Sequence, residues 1–202
     1  MSGQNDSSLS IQGQVRREFD VKGSRFIAVA AGVQGREDIE HLLVAVRKEF
    51  FDATHHCFAW RLGPDGSQFR TSDDGEPGGT AGRPILSAID RRQLTDVIVI
   101  VTRYFGGTKL GVGGLSRAYA EAAGLAVAAA PVVTRWVTQE LRFAFPHDQT
   151  GHVMRVVERF SGKIADVRYE EEVFMHLLVR RSWVEDVLNE LKNRTAGNLR
   201  LL

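Results

Sequence analysis

The sequence predicts an α+β fold in two domains, and three observations carry that prediction. Residues 97–101 are Val-Ile-Val-Ile-Val, an unbroken β-branched run that reads as a central strand covered on both faces. Before and after it, stretches with a period of two alternate with stretches of helical period. From Val133 onward glycine becomes sparse and the order of elements becomes β-α-β-β-α-β, the arrangement of a ferredoxin-like split domain. The expected boundaries are a disordered tail at 1–14, a β-α domain at 15–132 and a ferredoxin-like domain at 133–202.

In order, residues 15–33 read as two strands joined at Lys22-Gly23, with Phe26, Ala28 and Ala30 on one face. Ile39, Leu42, Leu43, Val46 and Phe50 then recur at helical spacing behind the acids Glu37, Asp38 and Glu40. Residues 56–62 alternate as a half-buried strand, with His56, Phe58, Trp60 and Leu62 on one face and Cys57, Ala59 and Arg61 on the other. A turn at Gly63-Pro64-Asp65-Gly66 returns the chain through 68–72. Pro84 opens a helix carrying Ile85, Leu86, Ile89 and Leu94, and a long alanine-rich helix runs from about Ser116 to Ala130. In the second domain, Val137, Leu141, Phe143 and Phe145 share a strand face. A helix over 147–160 turns Val153, Met154, Val157 and Phe160 inward. Two further alternating strands follow, and Ser182 with Glu185 has the spacing of a capping box opening the last helix.

Composition narrows the function classes. With 43% hydrophobic and 25% charged residues and a formal net charge of +1, the chain is no polyelectrolyte, and any nucleic-acid contact must come from a local basic patch. One cysteine, Cys57, excludes an intramolecular disulfide framework and suits a reducing compartment. The polar first dozen residues lack the apolar stretch of a signal peptide, and no run is long enough to cross a bilayer, so a cytoplasmic location is expected.

Chemistry concentrates in two glycine-rich segments, 72–84 and 101–119. Nine of the twenty glycines lie between Gly75 and Gly114, where tight turns or close backbone approach are needed. The first segment carries Asp73, Asp74 and Glu76 against one cation, Arg83, whereas the second carries Arg103, Lys109 and Arg117 with no acid. Either the segments pair, or together they frame a ligand. Gly106, Gly107, Gly113 and Gly114 ahead of a helix present backbone N–H groups, and with Lys109 and Arg117 such a loop can hold a phosphate. The alternative is a tight strand-to-helix connection. Neither a Walker A loop nor a dinucleotide fingerprint fits the spacing. The acids either hold a divalent cation or stabilise a turn, and no complete metal-ligand set is visible. His55 and Cys57 share a face, but no third group completes a zinc or nucleophile site. Tyr104 and Phe105 beside Arg103 are either stacking platforms or plugs under the loop.

Four strings in order, KGSRFIA (22–28), DATHHCFAW (52–60), SDDGEPGGTAGRPIL (72–86) and RYFGGTKLGVGGLSRAY (103–119), resemble the IMPACT/YigZ family. The resemblance implies a first domain of the ribosomal-protein-like β-α fold shared with part of translation elongation factor G. The ferredoxin-like part fits the second domain of bacterial members. It further implies a role with nucleic acid or the translation machinery, no established catalysis and no cofactor. Carried over by position, the family's surface falls on His55, Asp73, Asp74, Glu76, Thr80, Arg83, Arg103, Tyr104, Lys109 and Arg117. Eukaryotic members regulate a translation kinase through a separate RWD domain that these 202 residues do not contain, so that mechanism is not transferred.

The expected function is therefore a non-enzymatic cytosolic protein that binds RNA or a ribosome-associated partner through the basic loop. The alternative is an enzyme or binder of a phosphorylated small molecule, with the acidic loop holding magnesium or acting as base. A protein-interaction module built on the second domain's sheet is the third possibility.

Overall fold

The computed structural model describes residues 6–202 and divides the chain into two compact units, Ser7–Arg135 and Trp136–Leu202, with Asp6 belonging to the second. The first unit is built on an antiparallel sheet of β2 (Gln14–Val21), β3 (Ser24–Gly32), β4 (His55–Leu62), β5 (Gln68–Ser72) and β6 (Val97–Tyr104) in the order β2-β3-β6-β4-β5. As its β-branched run requires, β6 is central. Its alternate residues face two cores. Val97, Val99 and Val101 join the side covered by α2 (Gly82–Asp90) and α3 (Gly111–Ala129), while Ile98 and Ile100 join the side covered by α1 (Arg36–Glu49).

The same period of two sorts β4, with Cys57 and Ala59 toward α2 and α3, and Phe58, Trp60 and Leu62 toward α1. This strand is buried on both faces and not half-buried as expected, because helices cover each side. The α3 helix begins at Gly111, five residues before the expected start near Ser116. Its small buried residues, Ala118, Ala122, Ala123 and Ala126, let it lie close to the sheet, and packing of Leu115 and Tyr119 overrides the poor helix propensity of the glycines. Leu94 packs in the core but lies beyond the end of α2.

The expected tail over 1–14 is corrected by the structure. Ser7–Ile11 is a strand, β1, paired with β7 (Val132–Trp136), and residues 14–21 are β2; the tail's first five residues lie outside the described part. Ile11 is fully buried, Leu9 packs beside it, and the Leu9 carbonyl accepts from Thr95 N–H at 2.8 Å. Two apolar side chains at strand spacing suffice to dock a segment whose average composition is polar.

The second unit has the ferredoxin-like order. β8 (Thr138–Phe145), β9 (Lys163–Tyr169), β10 (Val173–Arg180) and β11 (Arg200–Leu201) form a sheet ordered β11-β8-β10-β9, with α4 (Thr150–Arg159) and α5 (Val184–Arg194) between them in sequence. Four expectations differ in detail. Val137 lies between β7 and β8 and is not on the β8 face. Val156 replaces Met154 in the inner stripe of α4. A register shift against His176 and Leu177 of β10 turns Ile164 and Val167 inward in place of a strict alternation. Ser182 forms no capping box; its Oγ donates to Asp6 Oδ2 at 2.5 Å.

Candidate functional site

The two glycine-rich segments bracket α2 and β6, and the fold brings them together at the end of β6. The acids turn inward. Asp73, leaving β5, accepts N–H groups from Gly79 at 2.8 Å, Ala81 at 2.9 Å and Gly82 at 2.8 Å, so it closes its own loop and caps the start of α2. Burial opposes ionisation of Asp73, yet these N–H donors together outweigh it and hold the carboxyl below its ordinary value. Asp74 accepts His56 N–H at 2.7 Å and meets Arg47 at 3.0 Å, while its carbonyl takes the Nδ1–H of His55 at 2.8 Å. Thr80 donates from Oγ1 to the Pro77 carbonyl at 2.7 Å.

Glu76 is the buried centre. Its Oε1 accepts Arg103 Nη1–H at 2.6 Å and the Tyr119 hydroxyl at 2.8 Å, with the two charged side chains only 4% and 6% exposed. His55 Nε2 stands 3.8 Å from the same oxygen. Arg103 also donates from Nη2 to Ser24 Oγ at 3.3 Å, and its guanidinium lies 5.5 Å from the rings of both Phe26 and Phe105. The Sγ of Cys57 is 3.3 Å from the Tyr119 hydroxyl and 3.0 Å from the Asp73 carbonyl. Burial pushes the Cys57 thiol up to about 12, and burial likewise drives the Tyr119 hydroxyl far above its ordinary value. A neutral thiol and phenol therefore line one side of the buried ion pair.

Of the two expectations for the segments, pairing is met at one point, where Arg103 meets Glu76. Arg83, Lys109 and Arg117 are exposed and make no hydrogen bond or ion pair among the described residues. The β2–β3 turn adds two more exposed cations. Gly106 lies so close to the Gly23 carbonyl that a Cβ there would overlap it, and Gly106 N–H donates to Ser24 Oγ at 3.2 Å. Lys22 and Arg25, both exposed, are thereby carried to the basic loop, and Arg25 lies 4.8 Å over the ring of Tyr104. The Tyr104 hydroxyl donates to Asp52 at 2.7 Å, which raises it above its ordinary value. Phe105, at 49% exposure, is not the buried plug that one reading allowed.

Gly107 needs its glycine for a φ of +82°, and Gly114 faces Leu110, whereas Gly113 meets nothing within 4 Å and has no such backbone demand. Among the described residues no three His, Cys, Asp or Glu side chains are placed to share a metal ion, and no helix is long and apolar enough to cross a membrane. Ser24 and Tyr119, the polar partners of the buried pair, and Cys57 behind Tyr119 were not among the expected site residues. The available signals were the i, i+4 spacing of Leu115 and Tyr119 on an inward helix face and the place of all three residues within the strings 22–28, 52–60 and 103–119.

Comparison with known proteins agrees with this architecture. Residues 22–127 match the Impact N-terminal domain, and residues 143–198 match a domain of unknown function, DUF1949. IMPACT family member YigZ of Escherichia coli K12 is 33% identical over 185 residues, covering 91% of each chain. IMPACT family member YvyE of Bacillus subtilis is 28% identical, covering 97% of this chain and 94% of its own. A crystal structure described as a hypothetical protein superposes with a TM-score of 0.75 at 32% identity, covering 98% of both chains. The chain belongs to the IMPACT family.

Proposed function

We propose that this chain is a non-enzymatic RNA-binding protein acting on RNA of the translation machinery, with the β2–β3 turn and the loop ahead of α3 as its contact surface. One observation carries the reading. The acids of the neighbouring segment are consumed by internal donors, while Lys22, Arg25, Lys109 and Arg117 stand exposed without a carboxylate partner. A net charge of only +1 thus hides a local excess of cations. Tyr104 and Phe105 beside them add ring surface on which unpaired bases stack. Resting as they do on protein donors, the acids give a magnesium-dependent alternative no ligand set among the described residues.

The test is fluorescence anisotropy of a single-stranded RNA, and co-sedimentation with ribosomes, over a series of salt concentrations. Lys109→Glu and Arg117→Glu are expected to weaken binding, and each lost phosphate contact lowers the slope of log K against log salt by about 0.7 to 1. Binding that ignores salt and both substitutions would refute the proposal.

A further inference from the structure

We propose that a cleft on the flank of α3 binds a terminal nucleoside phosphate, with its base against an apolar wall and its phosphate between Lys22 and Arg117. The inference deepens the RNA reading and rests on it for one of two ligand sources, a 5′-phosphorylated RNA end; the other source is a free nucleotide. Leu110, Gly114, Arg117, Ala118 and Glu121 recur at helical spacing on one side of α3, and face Phe19 and Val21 of β2 and Lys22 of the turn. Together they enclose about 320 Å³, within the size range of small-ligand sites.

The wall is apolar and incompletely covered. Phe19, Val21 and Leu110 pack on the core yet remain half-exposed toward the cleft. A Cβ on Gly114 would crowd Leu110 at 3.1 Å, so glycine there keeps the space open. At the rim, two cations face one carboxylate, Glu121, and none of the three has an ion pair or hydrogen bond among the described residues. That suits an anion carried by a group with hydrogen-bond donors, as a phosphate on a nucleoside is.

The charges also run against what the fold alone favours. On α3, Arg117 followed by Glu121 is the weaker i, i+4 orientation. Lys22 holds a left-handed φ of +47°, a conformation that lysine adopts at a cost and glycine or asparagine does not.

The full chain is titrated with a short single-stranded RNA bearing a 5′-phosphate, with the same RNA bearing a 5′-hydroxyl, with nucleoside 5′-monophosphates and with inorganic phosphate. Preference for the phosphorylated end by about tenfold is expected. It should vanish in Lys22→Ala and in Arg117→Ala; the two cleft variants are made separately, so either one that folds decides. Nucleotide binding with the same dependence on Lys22 and Arg117 supports the free-nucleotide source. Equal affinity for both RNA ends with no nucleotide binding overturns the cleft but leaves salt-dependent RNA binding intact. Nucleotide binding without any RNA binding overturns the RNA reading and keeps the cleft. Inorganic phosphate matching the nucleotide means an adventitious ion only, and also overturns it.

Discussion

Glu76 shows how much a single side chain's surroundings decide. Its carboxylate is buried against Arg103 and Tyr119, so Glu76→Gln removes one charge and leaves the other in low dielectric. We expect a loss of about 3 kcal/mol in urea unfolding, against about 1 kcal/mol for Tyr119→Phe. Near-equal midpoints for the two variants would contradict this. Cys57, with its thiol pushed up to about 12, should resist thiol reagents at neutral pH until the chain unfolds, so labelling should track the unfolding transition. Rapid labelling of the native protein would show that the thiol is neither buried nor neutral. Asp73 provides the acid limb. Its folded value is depressed, so its stabilisation is complete above the ordinary value of about 4 and is lost as pH falls through the lower folded value. Asp73→Asn should therefore unfold with a flatter pH dependence below pH 4. The acidic residues were legible as a group, but their inward orientation was not, since it depends on N–H groups at Gly79, Ala81 and Gly82 that only the folded loop presents.

Among the elements, the loop ahead of α3 separates glycines that serve the fold from one that does not. Gly106→Ala places a methyl group inside the Gly23 backbone and should abolish or severely weaken folding. Gly113→Ala meets nothing and should add about 0.5 to 1 kcal/mol by helix propensity. If its bare backbone serves a ligand, the same change should weaken RNA binding in anisotropy while the midpoint of unfolding rises; unchanged binding would assign Gly113 no role. Periodicity located nearly every helix and strand, because core faces repeat at fixed intervals. It missed β1, where Leu9 and Ile11 are outnumbered by polar residues, and its partner β7, and it placed the start of α3 too late, because tertiary packing carries glycines into a helix they do not favour. The capping box at Ser182 failed for a related reason. Asp6, distant in sequence, takes the serine hydroxyl before the helix can use it.

At the scale of the whole molecule, each unit owns a core, and the proposed contact surface lies entirely within Ser7–Arg135. A protein ending at Arg135 should keep its RNA affinity within about threefold. A larger loss in a folded truncation would place an essential contact in the second unit. The sequence by itself determined the α+β class, the ferredoxin-like order of the second unit and the family, since these rest on periodicity, element order and motif strings that are local properties of the chain. Only the tertiary structure decided which charges are spent and which remain. Glu76 and Arg103 are 27 residues apart, and Gly23 meets Gly106 across the sheet. Charge counts cannot show such pairings, because the cost of burying an unpaired ion selects its partner only once the elements are packed. What folding leaves at the surface is the basic part of a segment pair that reads as nearly balanced in the sequence.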